Sequence, residues 1–444
     1  MRILHYSLGF PPYRSGGLTK FCMDLMNQQR DDQHEVLLAW PGEISFFSKR
    51  INIRQHSPVN GIGNYEIVNP LPVPYDEGIK DFEIFTQVGD RDIYHGFLKA
   101  LKPDIIHVHT LMGLHKNFLM AAKELGIRLV FTTHDFFPIC PKVKMFRNGK
   151  ICTTAETCEE CGTCNNTALS IKKILLLQSP LYRIIKDSII VRKARKHHRD
   201  KFLSDNSEHD QNGIVGSPED FLKLRKYYQD MLSLMDIVHY NSTVSKSAFE
   251  KVCQISGSRI ISITHSDISD HRRRKSFSNN LLRIRYLGPG GGAKGFFLLK
   301  DALDKLWEEC HNFCLDIHFA PVETSPYMRI HGRYSYRELE GIFSETDILV
   351  APSIWLETFG YTVLEALSYG VPVLISGTVG AKDILTEGAG IVIDDITSEK
   401  LLQAFKTLTP DRLDDMNKTI CKEQSIMTIQ QMSEMIMKEC YTED

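Results

Sequence analysis

The chain has 444 residues, of which 42% are hydrophobic and 24% charged, enough for two domains of ordinary size with buried cores. A net charge of −2 argues against a nucleic-acid binder, and no apolar run approaches the roughly 18 residues that span a bilayer. The start, Met1-Arg-Ile-Leu-His-Tyr-Ser7, runs straight into a strand pattern and lacks a signal peptide's apolar segment, so the expected location is cytoplasmic.

Taken in chain order, the first half alternates strand, loop and helix. Arg2–Tyr6 reads as a strand, followed by a loop with Pro11, Pro12, Gly16 and Gly17 and a helical pattern from Leu18. The glycines permit positive φ and close approach of the backbone to a ligand, although a Gly-Gly pair after a strand also suits a plain turn. Further strands are expected at Glu35–Ala39, Ile105–His109, Arg128–Thr132 and Ile237–Asn241. Strands alternating with helices predict a doubly wound parallel sheet. His134 ends the third of these strands and would point into a cleft from a C-terminal strand edge, while His107 and His109 are read mainly as packing. Asp90-Arg-Asp92 is a D-x-D triplet outside any glycine loop, and reads as acids at a helix start.

Cys140, Cys152, Cys158, Cys161 and Cys164 fall within 25 positions, with two C-x2-C steps sharing Cys161. In a reducing compartment this pattern points to metal rather than disulfides, and four of the five thiolates would suit a structural zinc. An iron–sulfur cluster and a metal-free loop are the alternatives. Between Lys172 and Lys201 ten basic residues face two acids and are interleaved with Ile and Leu, an amphipathic pattern that fits either an anionic membrane surface or a solvated helix.

A polar stretch between about Ser262 and Asn280 reads as a linker. A second strand–loop–helix series then begins at Leu282–Leu287, with the loop Gly288-Pro-Gly-Gly-Gly-Ala-Lys294-Gly295. Its amides would form an anion nest with Lys294 as counter-charge. The same loop reads as G-x-G-x-x-G from Gly290, which raises a nicotinamide dehydrogenase, but the nearest strand acid, Asp316, falls later than that fingerprint requires. Strands follow at Leu315–Phe319, Ile348–Val350 and Val373–Ile375, and a last helix spans Ile426–Tyr441.

Glu357 and Glu365 are eight positions apart at the start of a helix that reads from Tyr361 to Tyr369 and stops at Gly370. Eight residues make about 2.2 turns, so both carboxylates can line one approach to the helix N-terminus, itself a phosphate seat. Two acids beside such a seat suit a ligand with hydroxyl-rich parts on either side of its phosphates.

This segment resembles family 4 of the retaining glycosyltransferases, through the E-x7-E pair with Phe359-Gly360 inside it, Pro352-Ser353 before it, and Leu364-Glu365-Ala366 and Gly370-Val-Pro-Val373 after it. The resemblance implies an α/β protein of GT-B fold, with two Rossmann-like doubly wound domains facing a cleft. On that plan residues 1–270 form an acceptor-side domain with a Cys-rich loop (140–164) and a basic helical insertion (170–205). Residues 281–425 form the nucleotide-sugar domain, and 426–444 a terminal helix that crosses back to the first.

The resemblance further implies transfer of a hexose-type sugar with retention, from a UDP-sugar in preference to a GDP-sugar, to a glycan or lipid-linked acceptor in surface polysaccharide biosynthesis, with no catalytic metal. His134 would orient the sugar, Glu357 hold a sugar hydroxyl and Glu365 the ribose hydroxyls. The amides of Thr358, Phe359 and Gly360 and the loops at Gly16-Gly17 and Gly290 would meet sugar or diphosphate, Lys294 would offset leaving-group charge, and Gly332-Arg333 would lie near the base. Pro289 stands where the family commonly has an Arg, with Arg283 and Arg285 as candidate substitutes. This departure keeps open a non-catalytic nucleotide-sugar binder.

Overall fold

The computed structural model describes residues 1–12, 14, 16–45, 48–74, 76–180, 182, 188, 213–278 and 280–442. Its first half is built on strands β1 (Arg2–Tyr6), β2 (Glu35–Pro41), β3 (Asn52–Val59), β4 (Ile62–Val68), β5 (Ile105–Val108), β6 (Arg128–Thr133), β9 (Ile237–Tyr240) and β10 (Ser258–Ile260). They form one sheet in the order β10-β9-β6-β5-β1-β2-β4-β3, parallel except for the β3–β4 pair. The central strands are buried except for Arg128 at the start of β6, as runs covered by helices on both faces must be. A small hairpin, β7 (Phe146–Arg147) and β8 (Lys150–Ile151), stands apart within the cysteine-rich region.

The second half contains β11 (Leu282–Tyr286), β12 (Phe313–Ile317), β13 (Met328–Ile330), β14 (Ile348–Ala351), β15 (Val373–Ser376) and β16 (Gly390–Ile393), all parallel, in the order β13-β12-β11-β14-β15-β16. This is the 3-2-1-4-5-6 order of a dinucleotide-type sheet, whose direction of winding reverses between β11 and β14. Ligands of such sheets sit at that reversal, outside the strands' C-terminal ends. The glycine loop follows β11 and the Glu357 loop follows β14, so topology alone brings them side by side.

Two stretches differ from their sequence reading. The polar linker is docked, not loose: the His271 amide donates to Ser368 O at 2.8 Å, and the Arg272 guanidinium to Ile420 O at 2.8 Å. Both acceptors lie at helix C-terminal ends, where unpaired carbonyls attract donors and cations. The terminal helix is shorter than expected, Ile429–Ile436, and continues as a π-turn over Met437–Tyr441. It packs on the helix Gly17–Asp31 of the first half, and the Arg128 guanidinium donates to Cys440 O at 2.9 Å.

Asp90 caps the helix Arg91–Leu101, accepting from the amides of Asp92 and Ile93. Of the basic run, Lys172 and Lys173 are exposed on the helix Ile171–Leu177; its members from Arg183 on lie outside the described residues. Among the described residues no helix is long and apolar enough to cross a membrane.

Candidate active site

A cleft of about 520 Å³ separates the two sheets, with Gly17, His134, Asp135 and Asn241 on one wall and Pro289, Lys294, Trp355 and residues 357–362 on the other. Backbone geometry builds the second wall. Gly295 sits at φ 75°, and a Cβ there would lie 1.8 Å from Pro352 O. Only glycine lets the loop after β11 lie against the loop after β14. The Ile354 amide donates to Ala293 O at 3.0 Å and completes the join.

Lys294 Nζ meets Glu357 Oε2 at 2.8 Å, both side chains being partly buried. The ammonium also lies 5.0 Å from the centre of the Trp355 ring, an added attraction for a cation. The other Glu357 oxygen accepts from the Ser353 hydroxyl. Gly360 follows at φ 111°, and the helix Tyr361–Ser368 begins. Among the described residues the amides of Thr358, Phe359 and Gly360 donate to no other group. The buried Trp355 Nε1 and Tyr361 hydroxyl are also without hydrogen-bond partners. Buried donors are rarely left in this state unless a ligand or water answers them.

The opposite wall carries His134 and Asp135. Burial lowers His134 to about 3, so its imidazole is neutral. Its carbonyl accepts from the Thr358 hydroxyl at 3.2 Å, tying the walls together. Ser242 donates to Thr358 O at 2.7 Å beside it. Burial raises the Asp135 carboxyl to about 6, against a hydrogen bond from the Phe137 amide that lowers it.

The structure therefore gathers Gly17, His134, Lys294, Glu357, Thr358, Phe359 and Gly360 at one cleft. Gly16 is adjacent, at φ 115°, and the space left by the missing Gly17 side chain is met by the Tyr361 ring at 3.8 Å. Besides Gly16, three expected residues are not on its wall. Gly290 packs on Phe319, with a Cβ position 2.3 Å from that ring. Arg333 is exposed on its loop. Glu365 is 3% exposed, turned away from the cleft by its place in the helix, and His265 Nε2 lies 3.3 Å from its Oε1. The His265 ring is itself packed against Tyr336 and Tyr361, each at 5.1 Å between centres. Glu365 and His265 are thus packed beneath the loop that carries Tyr336.

Neither candidate substitute for the missing Arg reaches the glycine loop. Arg283 forks onto Asp347, with its Nη2 at 2.6 Å, and Arg285 is 2% exposed and held by Thr346 at 3.1 Å. Asp316 is buried between His331 and Arg285, which leaves a dehydrogenase without its ribose acid.

The cysteines share one neighbourhood without closing on a centre. Arg225 donates to Cys158 Sγ at 2.8 Å and to Cys161 Sγ at 3.9 Å. The bond with Cys161 and the Arg225 charge lower the Cys158 thiol, while the same contact and burial raise Cys161. Among the described residues no three of the five sulfurs lie within 4.8 Å of one another. As arranged, the Arg225 guanidinium is the cationic partner of Cys158 and Cys161.

Residues 15–151 match the family described as "Glycosyltransferase Family 4", and residues 322–424 that described as "Glycosyl transferases group 1". The solved sucrose-phosphate synthase from Thermosynechococcus elongatus is similar over 98% of this chain and 97% of its own, at a TM-score of 0.58 and 13% identity. The Anabaena protein HepE, in complex with UDP and glucose, is similar over 99% and 98%, at 0.55 and 13%. The chain has the GT-B fold, and each half carries a region that matches a glycosyltransferase family.

A curated relative, an uncharacterized 41.2 kDa protein in the cps region of Klebsiella pneumoniae, is 30% identical over 80 residues, 18% of this chain and 22% of the relative. A second from the same region is matched over 15% of its length. The chain thus spans about a fifth or less of the curated relatives it matches.

Sequence reasoning missed Asp135, Asn241, Trp355 and His265. Asp135 was signalled by its place directly after His134, at a strand's C-terminal end. Asn241 carries the same signal at the end of its strand, and Trp355 stands two residues before Glu357; His265 is brought in by tertiary packing alone.

Proposed function

We propose that the protein transfers a hexose-type sugar, with retention at the anomeric carbon, from a UDP-sugar to a glycan or lipid-linked acceptor during surface polysaccharide synthesis. The observation that carries this reading is the Lys294–Glu357 pair at 2.8 Å, beside backbone amides at a helix start that have no partner among the described residues. In this reading those amides and Lys294 receive the diphosphate. Departure of the nucleoside diphosphate breaks the anomeric C–O bond and leaves negative charge on the phosphate oxygen, which fixed donors stabilise without reorganising. Lys294 then exchanges part of its attraction to Glu357 for the phosphate, freeing a carboxylate oxygen to accept a sugar hydroxyl. Glu365 takes the ribose hydroxyls and the loop with Arg333 the base. Retention and the polysaccharide setting rest on the E-x7-E resemblance and on the cps-region relatives. The basic residues between Lys172 and Lys201 would bring the enzyme to an anionic membrane carrying a lipid-linked acceptor.

Calorimetry with UDP, GDP, ADP and NAD⁺, without added metal, tests this reading. Tight binding of UDP that is lost in Glu365→Ala supports it. Binding of NAD⁺ alone, or of none of the four, overturns it. A second reading, a non-catalytic nucleotide-sugar binder, draws on Pro289 and on the engagement of Arg283 and Arg285 elsewhere. It predicts UDP binding with no donor turnover, where the transferase shows slow hydrolysis.

A further inference from the structure

Behind His134 the first sheet carries a line of buried polar side chains that the cleft chemistry does not use. His5 (β1), His107 (β5), Thr132 (β6) and His239 (β9) are each 0% exposed. His5 pairs with His107, and Thr132 with His239, across neighbouring strands. They share a face with Ile3, Ile105, Val130 and Ile237, two positions earlier on the same strands, where an apolar layer would be ordinary. Burial lowers His5 and His239 to about 4 and His107 and His109 well below the usual range. Every ring is therefore neutral, with one N–H and one lone pair.

That condition fixes every proton in the line, starting from its far end. His239 Nε2 lies 2.7 Å from Ile261 O; a carbonyl only accepts, so Nε2 carries the proton and Nδ1 the lone pair. Thr132, at 2.9 Å, must donate to that lone pair. With its one proton spent, it accepts from His107 Nε2 at 2.6 Å. His107 Nδ1 then accepts from the Tyr441 hydroxyl at 2.7 Å. Tyr441 oxygen accepts from Gln29 Nε2 at 3.1 Å, which turns Gln29 Oε1 toward His5 Nε2 at 2.8 Å. His5 Nε2 donates there, so its Nδ1 accepts from His109 Nε2 at 2.9 Å. Finally His109 Nδ1 accepts from His134 Nε2 at 3.1 Å.

We propose that this directed relay, closed by Tyr441 of the C-terminal turn and by Thr132, sets the tautomer of His134: Nε2 protonated, Nδ1 a lone pair left for a ligand in the cleft. Tyr441 and Thr132 are positioning residues, since neither touches the cleft. A fixed acceptor at that place selects a hydroxyl donor, such as a sugar hydroxyl, and repels a phosphate oxygen. This last step rests on the proposed function; the tautomer itself does not. Nitrogens of His5, His107 and His109 also lie within metal-binding range of one another, but each is already committed as donor or acceptor.

The test is long-range ¹H–¹⁵N correlation on the full chain labelled with ¹⁵N-histidine, with the His134 signals identified by their loss in His134→Gln. The expected result is a single Nε2–H tautomer in the wild type, a mixture of both tautomers in Tyr441→Phe, where Gln29 is released to turn over, and the wild-type pattern in Thr132→Ser. A wild-type Nδ1–H tautomer overturns the relay whether or not any variant folds. An unchanged tautomer in Tyr441→Phe overturns the role of Tyr441. If Tyr441→Phe does not fold, Thr132→Val cuts the same line and carries the same expectation. UDP binding is read separately on the same sample, so failure of the donor reading and failure of the relay are told apart.

Discussion

Replacing Gly295 by alanine perturbs the cleft through backbone alone. The new Cβ would lie 1.8 Å from Pro352 O, while contacts under 3.0 Å are essentially never tolerated. The two loops must therefore part by about 1.2 Å. The φ of 75° adds about 1–2 kcal/mol for an L-residue in left-handed backbone. At about 2–4 °C per kcal/mol for domains of this size, the melting midpoint should fall by roughly 2–8 °C with the fold retained. The larger effect is on chemistry. Lys294 rides on one loop and Glu357 follows the other, so the parting is passed to their 2.8 Å contact. A misplacement of about 1 Å costs on the order of 100-fold in rate. The assay is hydrolysis of the UDP-sugar identified by calorimetry, with thermal unfolding on the same preparation. Gly291→Ala is the control, because nothing lies within 4 Å of its Cβ position and its φ is −102°. If Gly295→Ala retains wild-type kcat/KM, or if Gly291→Ala is equally impaired, the argument from loop apposition fails.

Glu357→Gln keeps the volume but removes the charge facing Lys294, so turnover should drop on the order of 100-fold while the Kd for UDP stays within a few-fold; undiminished turnover would rule out a catalytic Glu357. Burial raises Asp135 to about 6, from an ordinary 3.8. Both folded and unfolded forms are thus protonated below about pH 4, and stability falls as pH rises through the window from 4 to 6, where the unfolded chain ionises first. Asp135→Asn should remove that fall, and parallel melting profiles for the two proteins between pH 4 and 7 would contradict it. Structural zinc in the cysteine loop remains a proposal that needs the thiols to close round an ion in place of Arg225: reducing purification should then retain about one equivalent of zinc, lost in Cys158→Ser, and metal-free protein would end it. Membrane docking predicts co-sedimentation with anionic vesicles at low salt and release at high salt, and protein left in the supernatant at low salt would dismiss it.

The second domain could be read in detail because its signals are local. β14 and β15 announce themselves as short apolar runs ended by proline or glycine, β11 as an alternating strand that runs into the glycine loop, and Gly295 lies where the chain must turn tightly. The β3–β4 hairpin was missed although Asn60-Gly61 marks it; both residues have positive φ, at 51° and 78°, as a two-residue hairpin turn demands. β12 was expected two residues late, because His318 and Phe319 extend the apolar alternation past the end of the pairing with β11. The site was legible where chemistry and chain order coincide, as at Lys294, Glu357 and His134. It was not legible where a side chain's orientation depends on remote packing. Helical spacing puts Glu365 on the approach shared with Glu357, and it gives no sign that its carboxylate meets His265, 100 positions away. Spacing fixes which residues share a face; only tertiary packing decides what that face meets.

Tyr441 also bears on how the protein is made. The core of the first domain, begun by Ile3 and Phe21, is finished by Met432, Ile436 and Tyr441. On the ribosome, the strands of the first sheet emerge with that place empty, exposing the face of the helix Gly17–Asp31 that will later be covered. The first domain to be synthesised is therefore among the last to be completed, and an affinity tag joined close to Tyr441 would weigh on the half of the molecule farthest from it in sequence.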